Sequence, residues 1–264
     1  MKRTLSLAVI TILLLISQDS YSQTTYNHRV FWARIIIGDK ISDRLKWELY
    51  GQKRTQNIPG EKSLFGGPHF MSLWLWFNYS VNNKLNLSVS PFGYFDSHIF
   101  FTTPADAELP GVKEYRWTLR AEQIQKFNWF NYSNRYGLEY RIRDLKNDGD
   151  YQPNWRVRYM VRLEKPIKGI LSREKPLSFF ISDEVFIQFG KAVRNNPNVF
   201  DQNRITAGAS YEVFKNIRCS LSYLNILQQR INGKDFDNAN ALWIVIAFEN
   251  IFGKTGKMRV AGKN

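Results

Sequence analysis

The sequence predicts an all-β protein: a single antiparallel transmembrane β-barrel of about 10–12 strands, with short periplasmic turns and long external loops. Three observations carry that prediction. Over residues 114–164 charged and apolar side chains take turns. Arg135, Gly137, Glu139, Arg141 and Arg143 share one parity, and Tyr136, Leu138, Tyr140 and Ile142 share the other. Successive Cβ atoms of a strand point to opposite faces, so a period of two marks sheet, here with one face full of arginine. Beyond the N-terminus the longest apolar run is residues 241–248. That is too short for a spanning helix, whereas a barrel strand needs only about ten alternating residues. Finally, short connections alternate with long ones along the chain, as they do in outer-membrane barrels.

The N-terminus points the same way. Lys2 and Arg3 precede the apolar run 5–16 and then Ser20, Tyr21 and Ser22. A basic start, an apolar centre and a small-x-small site form an export signal. Residues 1–22 are the expected signal peptide, and residues 23–264 the barrel domain. The run falls short of the roughly twenty residues of a membrane anchor, and no cysteine follows the site to carry a lipid. The formal net charge is +14 over 264 residues, and the pI is about 9.8. Losing Lys2, Arg3 and Asp19 leaves +13. Such a balance fits nucleic acid, an anionic membrane surface or a charged internal lining, and export argues against the first. The single cysteine, Cys219, excludes an internal disulfide and a Cys-built metal site. It falls on a strand as a small apolar residue.

In chain order, residues 29–37 and 45–54 form a first hairpin, with Leu45, Trp47 and Leu49 alternating against Lys46, Glu48 and Tyr50. A polar loop spans 56–68. The strand at 71–81 has Leu73, Leu75, Phe77 and Tyr79 on one parity and Ser72, Trp74, Trp76 and Asn78 on the other, so its faces are poorly distinguished. Asn82-Asn83 makes a tight turn of a kind that tolerates positive φ. Leu85, Leu87 and Val89 then alternate with Asn86, Ser88 and Ser90. Residues 96–111 are expected as a long loop, followed by the arginine-rich strands. Residues 128–132 separate the first two of these, and polar connections are expected at 146–153 and 165–176. Strands follow at 177–189, 203–213, 217–227 and 242–252, with loops at 191–199 and 232–237 and a turn at Lys215-Asn216. That makes about eleven strands; an even count is the rule in bacterial barrels, so one is expected to be missing or miscounted. The eight Trp and thirteen Tyr would supply two interfacial girdles, with Trp129 and Trp155 as examples. The rival is a soluble β-sandwich with its arginines in water. Its disadvantages are the 15% aromatic content and the recurrence of Arg and Glu in register on consecutive strands.

On these strands the chain resembles the exported bacterial proteins grouped as domain of unknown function family 2490. The matching pieces are EYR at 114–116, NRYGLEYR at 134–141, WRVRYMVRL at 155–163, SDEVF at 182–186 and NVFDQNR at 198–204. The resemblance implies an outer-membrane barrel and brings no activity with it. Tyr115 stands where the family usually has His, and Gly137 where it commonly has Arg. Any chemistry that such a histidine performs in relatives is therefore absent from this chain.

The expected site is the inward parity: Arg116, Arg120, Glu122, Arg135, Glu139, Arg141, Arg143, Arg156, Arg158, Arg162, Glu184, Arg204 and Glu212. Neighbouring strands bring Arg and Glu within ion-pair reach, which makes the lining a structural, ion-paired interior. Because arginines outnumber acids, the alternative is a narrow pore for small anionic solutes. A second alternative is a surface lipid-modifying enzyme, which would need a nucleophile and base at the rim. No catalytic motif occurs, the three histidines are scattered, and neither a cofactor nor a metal is expected. The partner is outer-membrane lipid. One residue sits badly: with Glu184 inward, Asp183 faces lipid unless a bulge or a place near the rim relieves it.

Overall fold

The computed structural model describes residues 24–230 and 232–252, so the expected signal peptide lies outside the described residues. Eleven strands close into one barrel: β1 (Thr25–Lys40), β2 (Leu45–Gln56), β3 (Gly67–Ser80), β4 (Leu85–Ser97), β5 (Val112–Lys126), β6 (Asn131–Asp144), β7 (Tyr151–Ile167), β8 (Leu177–Phe189), β9 (Phe200–Phe214), β10 (Ile217–Gln229) and β11 (Phe236–Glu249). Sequence neighbours pair antiparallel throughout. The barrel shuts where β1 meets β11 in parallel, from Thr25 opposite Phe236 to Gly38 opposite Glu249. Eleven falls within the expected 10–12 strands, and the expectation that one strand is missing or miscounted is corrected. Direction reverses at every turn, so the first and last strands of an odd set run the same way and must pair in parallel.

The strands run longer than their alternating cores. β4 reaches Ser97, β7 takes residues from the loops expected on both sides, and β11 begins at Phe236 within the expected 232–237 loop. Connections 41–44, 81–84, 127–130, 168–176 and 215–216 gather at one rim, all but 168–176 being turns of two to four residues, and the loops 57–66, 98–111, 145–150, 190–199 and 230–235 gather at the other. Asn216 has a positive φ of 66° in its two-residue turn. Asn82 does not need one. Its Oδ1 instead accepts from the Lys84 and Leu85 amides at 2.8 and 2.9 Å, a side-chain turn typical of Asn.

The outward parity is largely apolar and exposed, with Leu73, Leu119, Ile181 and Leu221 among it. The inward parity has two walls of different character. On β5–β9 it is mainly Arg, Glu and polar residues, with Met160 and Phe186 buried among them. On β10, β11 and β1 it is Val30, Trp32, Leu224, Ile226, Ala239 and Ala241, a buried apolar cluster that Phe100 joins from loop 98–111. Trp74, Trp76 and Phe95 form a second cluster on β3 and β4. The girdle expectation puts Trp129 and Trp155 on the outside, and both are exposed. It fails for Trp32, Trp74 and Trp76, which are buried inside, and for Trp243, stacked on Trp32 at 4.5 Å between centroids. Glycine makes room for this packing. A Cβ at Gly93 would lie 2.7 Å from Trp74.

Asp183 is neither bulged nor near a rim. β8 pairs with β7 without a break through it, and it stands seventh of thirteen residues, facing outward. Asn203 Nδ2 donates to it at 2.6 Å. Further amides continue the polar row: Asn225 donates to Asn238 at 2.7 Å, and Asn238 to Asn27 at 2.9 Å. The relief expected from backbone irregularity comes instead from a neighbouring side chain.

An arginine-lined interior and its vestibule

Register places the charges. Across β5 and β6, Arg116 lies opposite Arg141, and Thr118 opposite Glu139; across β6 and β7, Glu139 lies opposite Arg156. Each acid then gathers several guanidinium forks. Arg141 holds Glu114 by two bonds, Nε to Oε1 at 2.9 Å and Nη2 to Oε2 at 2.7 Å, and Arg116 Nε adds a third at 2.7 Å. Glu139, with no exposed surface, accepts from Arg156 Nε at 2.7 Å and Arg158 Nη1 at 2.6 Å, with Arg116 Nη1 at 3.4 Å. Glu184 accepts from Arg158 Nη2 at 2.8 Å and Arg135 Nη2 at 3.0 Å. Arg156 also reaches Asp201 at 3.1 Å. The planar fork of Arg suits such shared, in-plane contacts. The result is one continuous network from Glu114 to Glu184.

Where the charged wall meets the aromatic wall, guanidinium groups lie on rings. Arg54 Cζ is 3.5 Å from the Trp32 centroid and 4.1 Å from that of Phe70. Arg120 lies over Trp76 at 4.2 Å, and Arg204 over Phe186 at 4.6 Å. Arg34 bonds Gln52 Oε1 at 2.9 Å through Nε and lies 5.0 Å from Trp243. Among the described residues none of these four arginines has a carboxylate in ion-pair contact. Ring faces stabilise cations, but they do not neutralise them.

At the long-loop rim the charged interior opens into a cavity of about 310 Å³, capped by Ala192, Val193 and Asn196 of loop 190–199. A neighbouring cavity of about 630 Å³ shares His98, Arg143 and Arg230 with it. Loop 98–111 shapes this rim. Phe100 is stacked between His28 and His69, at 4.8 and 4.3 Å. Gln56 fastens the loop, donating to the Ile99 carbonyl at 2.9 Å and accepting from the Phe101 amide at 3.1 Å. His28 Nε2 meets Asp237 Oδ1 at 2.8 Å, and the His98 amide donates to the His69 carbonyl at 2.8 Å. The histidines expected to be scattered are thus assembled at one rim. Further out, Asp106 Oδ2 accepts from the Thr102 and Thr103 amides at 2.7 and 2.9 Å. The Thr103 and Thr102 amides hold its pKa down at about 2.

Of the expected site, Arg116, Arg135, Glu139, Arg141, Arg143, Arg156, Arg158 and Glu184 meet in the network, and Arg204 borders it. Arg120 turns away to Asn78 and Ser88. Three expectations are corrected. Glu122 lies opposite Arg135, yet Arg135 pairs with Glu184, two strands along the same wall and past Met160 of β7. Arg162 pairs locally with Glu164 at 2.6 Å. Glu212 pairs with the loop residue Lys175 at 3.1 Å, near the short-turn rim. Both Arg162 and Glu212 lie where the strands leave the lumen. Glu114 belongs at the heart of the network. Asp201, Arg34 and Arg54 also belong inside, and parity could have flagged Arg34 and Arg54 on their alternating strands. Tyr115 faces outward against Tyr94 at 5.6 Å, so that departure from the family pattern lies off the interior. Gly137 faces inward, and a Cβ there would lie 3.4 Å from Arg158 Cβ. Among the described residues no three His, Cys, Asp or Glu side chains converge as a metal-ligand set.

No curated protein matches the chain. Two solved structures share its general form. One is the beta domain of the Bordetella autotransporter BrkA, at 12% identity and TM-score 0.43, covering 71% of this chain and 78% of that one. The other is LpxR from Salmonella typhimurium, at 11% identity and TM-score 0.46, covering 78% and 83%. The sequence profile described as protein of unknown function DUF2490 matches residues 30–237, well over half of the chain, and the chain belongs to that family.

Proposed function

We propose that this protein is an exported outer-membrane barrel whose Arg/Glu interior is a structural lining that closes the lumen to conduction. The observation that carries the reading is Glu139. It sits inside the barrel with no exposed surface, shared among Arg116, Arg156 and Arg158. A charge so thoroughly bonded is part of a packed interior, whereas a conducting lumen keeps its lining charges wet. The apolar outward parity supports a lipid surround. Planar-bilayer recording on the folded protein tests the reading: no channel current above background is expected, and reproducible anion-selective steps would overturn it. The reading assigns the barrel no enzymatic role. A lipase and acyltransfer assay on the same preparation is expected to be silent.

A further inference from the structure

The vestibule at the long-loop rim carries more cationic charge than its acids neutralise. Its lining holds seven arginines and two carboxylates, Glu114 and Asp201. Glu139 and Asp237, just outside the lining, pair with Arg116, Arg156 and Arg230, so seven less four leaves three positive charges around about 310 Å³. Arg116, Arg141 and Arg156 are committed to the network. Arg143 and Arg230 make only longer contacts with an acid, and Arg54 and Arg204 make none among the described residues. Arg54 is more than nine-tenths buried, has no carboxylate partner among the described residues, and its Nε makes no hydrogen bond. Arg204 stands opposite Glu184 in the register without reaching ion-pair contact, and among the described residues its hydrogen bond goes to the neutral Gln202, at 3.0 Å. Arg143 Nε is also buried without a hydrogen bond, 3.6 Å from a Glu114 already held by two other arginines. Arg230 stands at the mouth, 3.5 Å from Asp237.

An uncompensated buried guanidinium costs several kcal/mol, and several that face one cavity define the shape of the missing partner. We infer that the vestibule binds a phosphate monoester group, with Arg54 and Arg204 as its inner anchors and Arg143 and Arg230 at its entrance. A phosphate monoester offers close to two negative charges and three acceptor oxygens, which match forks converging from different strands. A carboxylate offers one charge in one plane. The adjoining cavity of about 630 Å³, open at the rim, accommodates whatever the phosphate is attached to. The group can belong to a soluble metabolite or to a lipid headgroup.

The test uses the full chain folded in detergent micelles, followed by isothermal titration with inorganic phosphate, with glycerol 3-phosphate, and with phosphatidic acid in mixed micelles. Saturable binding is expected in at least one arm. A response to the first two assigns a soluble ligand, and a response confined to phosphatidic acid assigns a headgroup. Acetate is expected to bind at least tenfold more weakly. Arg54→Gln and Arg204→Gln should each weaken binding tenfold or more, while Arg162→Gln, at the opposite rim, should leave it unchanged. If Arg54→Gln loses its barrel spectrum by circular dichroism, the half-buried Arg204→Gln decides alone. Absence of saturable binding in all three arms, or equal affinity in the wild type and Arg204→Gln, overturns the inference. Bilayer conductance is a separate readout, so this site and the closed lumen stand or fall independently.

Discussion

Glu139→Gln is the sharpest test of the network, because it removes a charge and almost no volume. In the native barrel this carboxylate takes Arg156 at 2.6 and 2.7 Å, Arg158 at 2.6 Å and Arg116 at 3.4 Å, with no access to solvent. Arg158 and Arg156 keep Glu184 and Asp201, respectively, and Arg116 keeps Glu114. The variant therefore leaves three cations short of one shared acid, without orphaning any of them completely. Breaking a buried ion pair by removing one partner costs about 3–5 kcal/mol. The remaining acids should hold the loss to about 3 kcal/mol, near the lower end of that range. Urea unfolding of barrels folded into liposomes, followed by tryptophan fluorescence, measures the difference. Arg158→Met alone and combined with Glu139→Gln complete a double-mutant cycle. The single variants should be non-additive by about 1 kcal/mol or more. A cost for Glu139→Gln below about 1 kcal/mol, with additive behaviour, would refute the idea that ion pairing organises the interior.

Other positions make independent demands. Gly93→Ala places a methyl 2.7 Å from Trp74 and 2.8 Å from the Phe95 ring. It should cost about 1–3 kcal/mol in the same unfolding assay, and a neutral result would mean that the aromatic wall yields. Asp183→Leu exchanges an outward charge for a lipid-compatible side chain. It should stabilise the liposome-folded barrel by about 1 kcal/mol, and destabilisation would locate a polar partner for the Asn203 row. Asp106 has its folded pKa lowered to about 2, so its hold on the Thr102 and Thr103 amides is fully present above its ordinary carboxylate range. That hold is lost as pH falls towards 2. Protection of the Thr102 and Thr103 amides, taken relative to the intrinsic exchange rate at each pH, should fall over that acid window and be low at every pH in Asp106→Asn.

Parity carried most of the fold into view. The period of two on β5, β6 and β7 gave both the strands and the inward set, because Arg and apolar residues cannot trade faces without moving every neighbour. Parity is silent where both faces are apolar. On β3 the rows Leu73–Leu75 and Trp74–Trp76 look equally fit for lipid, and only closure of the barrel sends the tryptophans inward. It is silent, too, about residues distant in sequence. His28, His69 and Phe100 lie on two strands and a loop, and nothing local says that they stack. Partner choice was the least legible. Arg135 faces Glu122 across one strand spacing, yet pairs with Glu184 two strands away, over Met160 of β7. Long side chains in a narrow barrel reach past their register neighbours, so adjacency alone does not assign ion pairs.

The parallel seam between β1 and β11 has a consequence for how the chain can be rewired. In an even-stranded barrel the two ends leave at the same rim, and a short peptide can join them. Here residue 24 lies at the long-loop rim and residue 252 at the short-turn rim. A joining peptide would have to run the height of the barrel beside fourteen paired residues, roughly 45 Å at 3.3 Å per residue. Inside, its path is filled by Trp32, Trp243 and the arginine network. Outside, it would lay unpaired backbone along an apolar surface. Circular permutation, routine for barrels whose ends meet, is closed to this one unless a twelfth strand is supplied to carry the chain back.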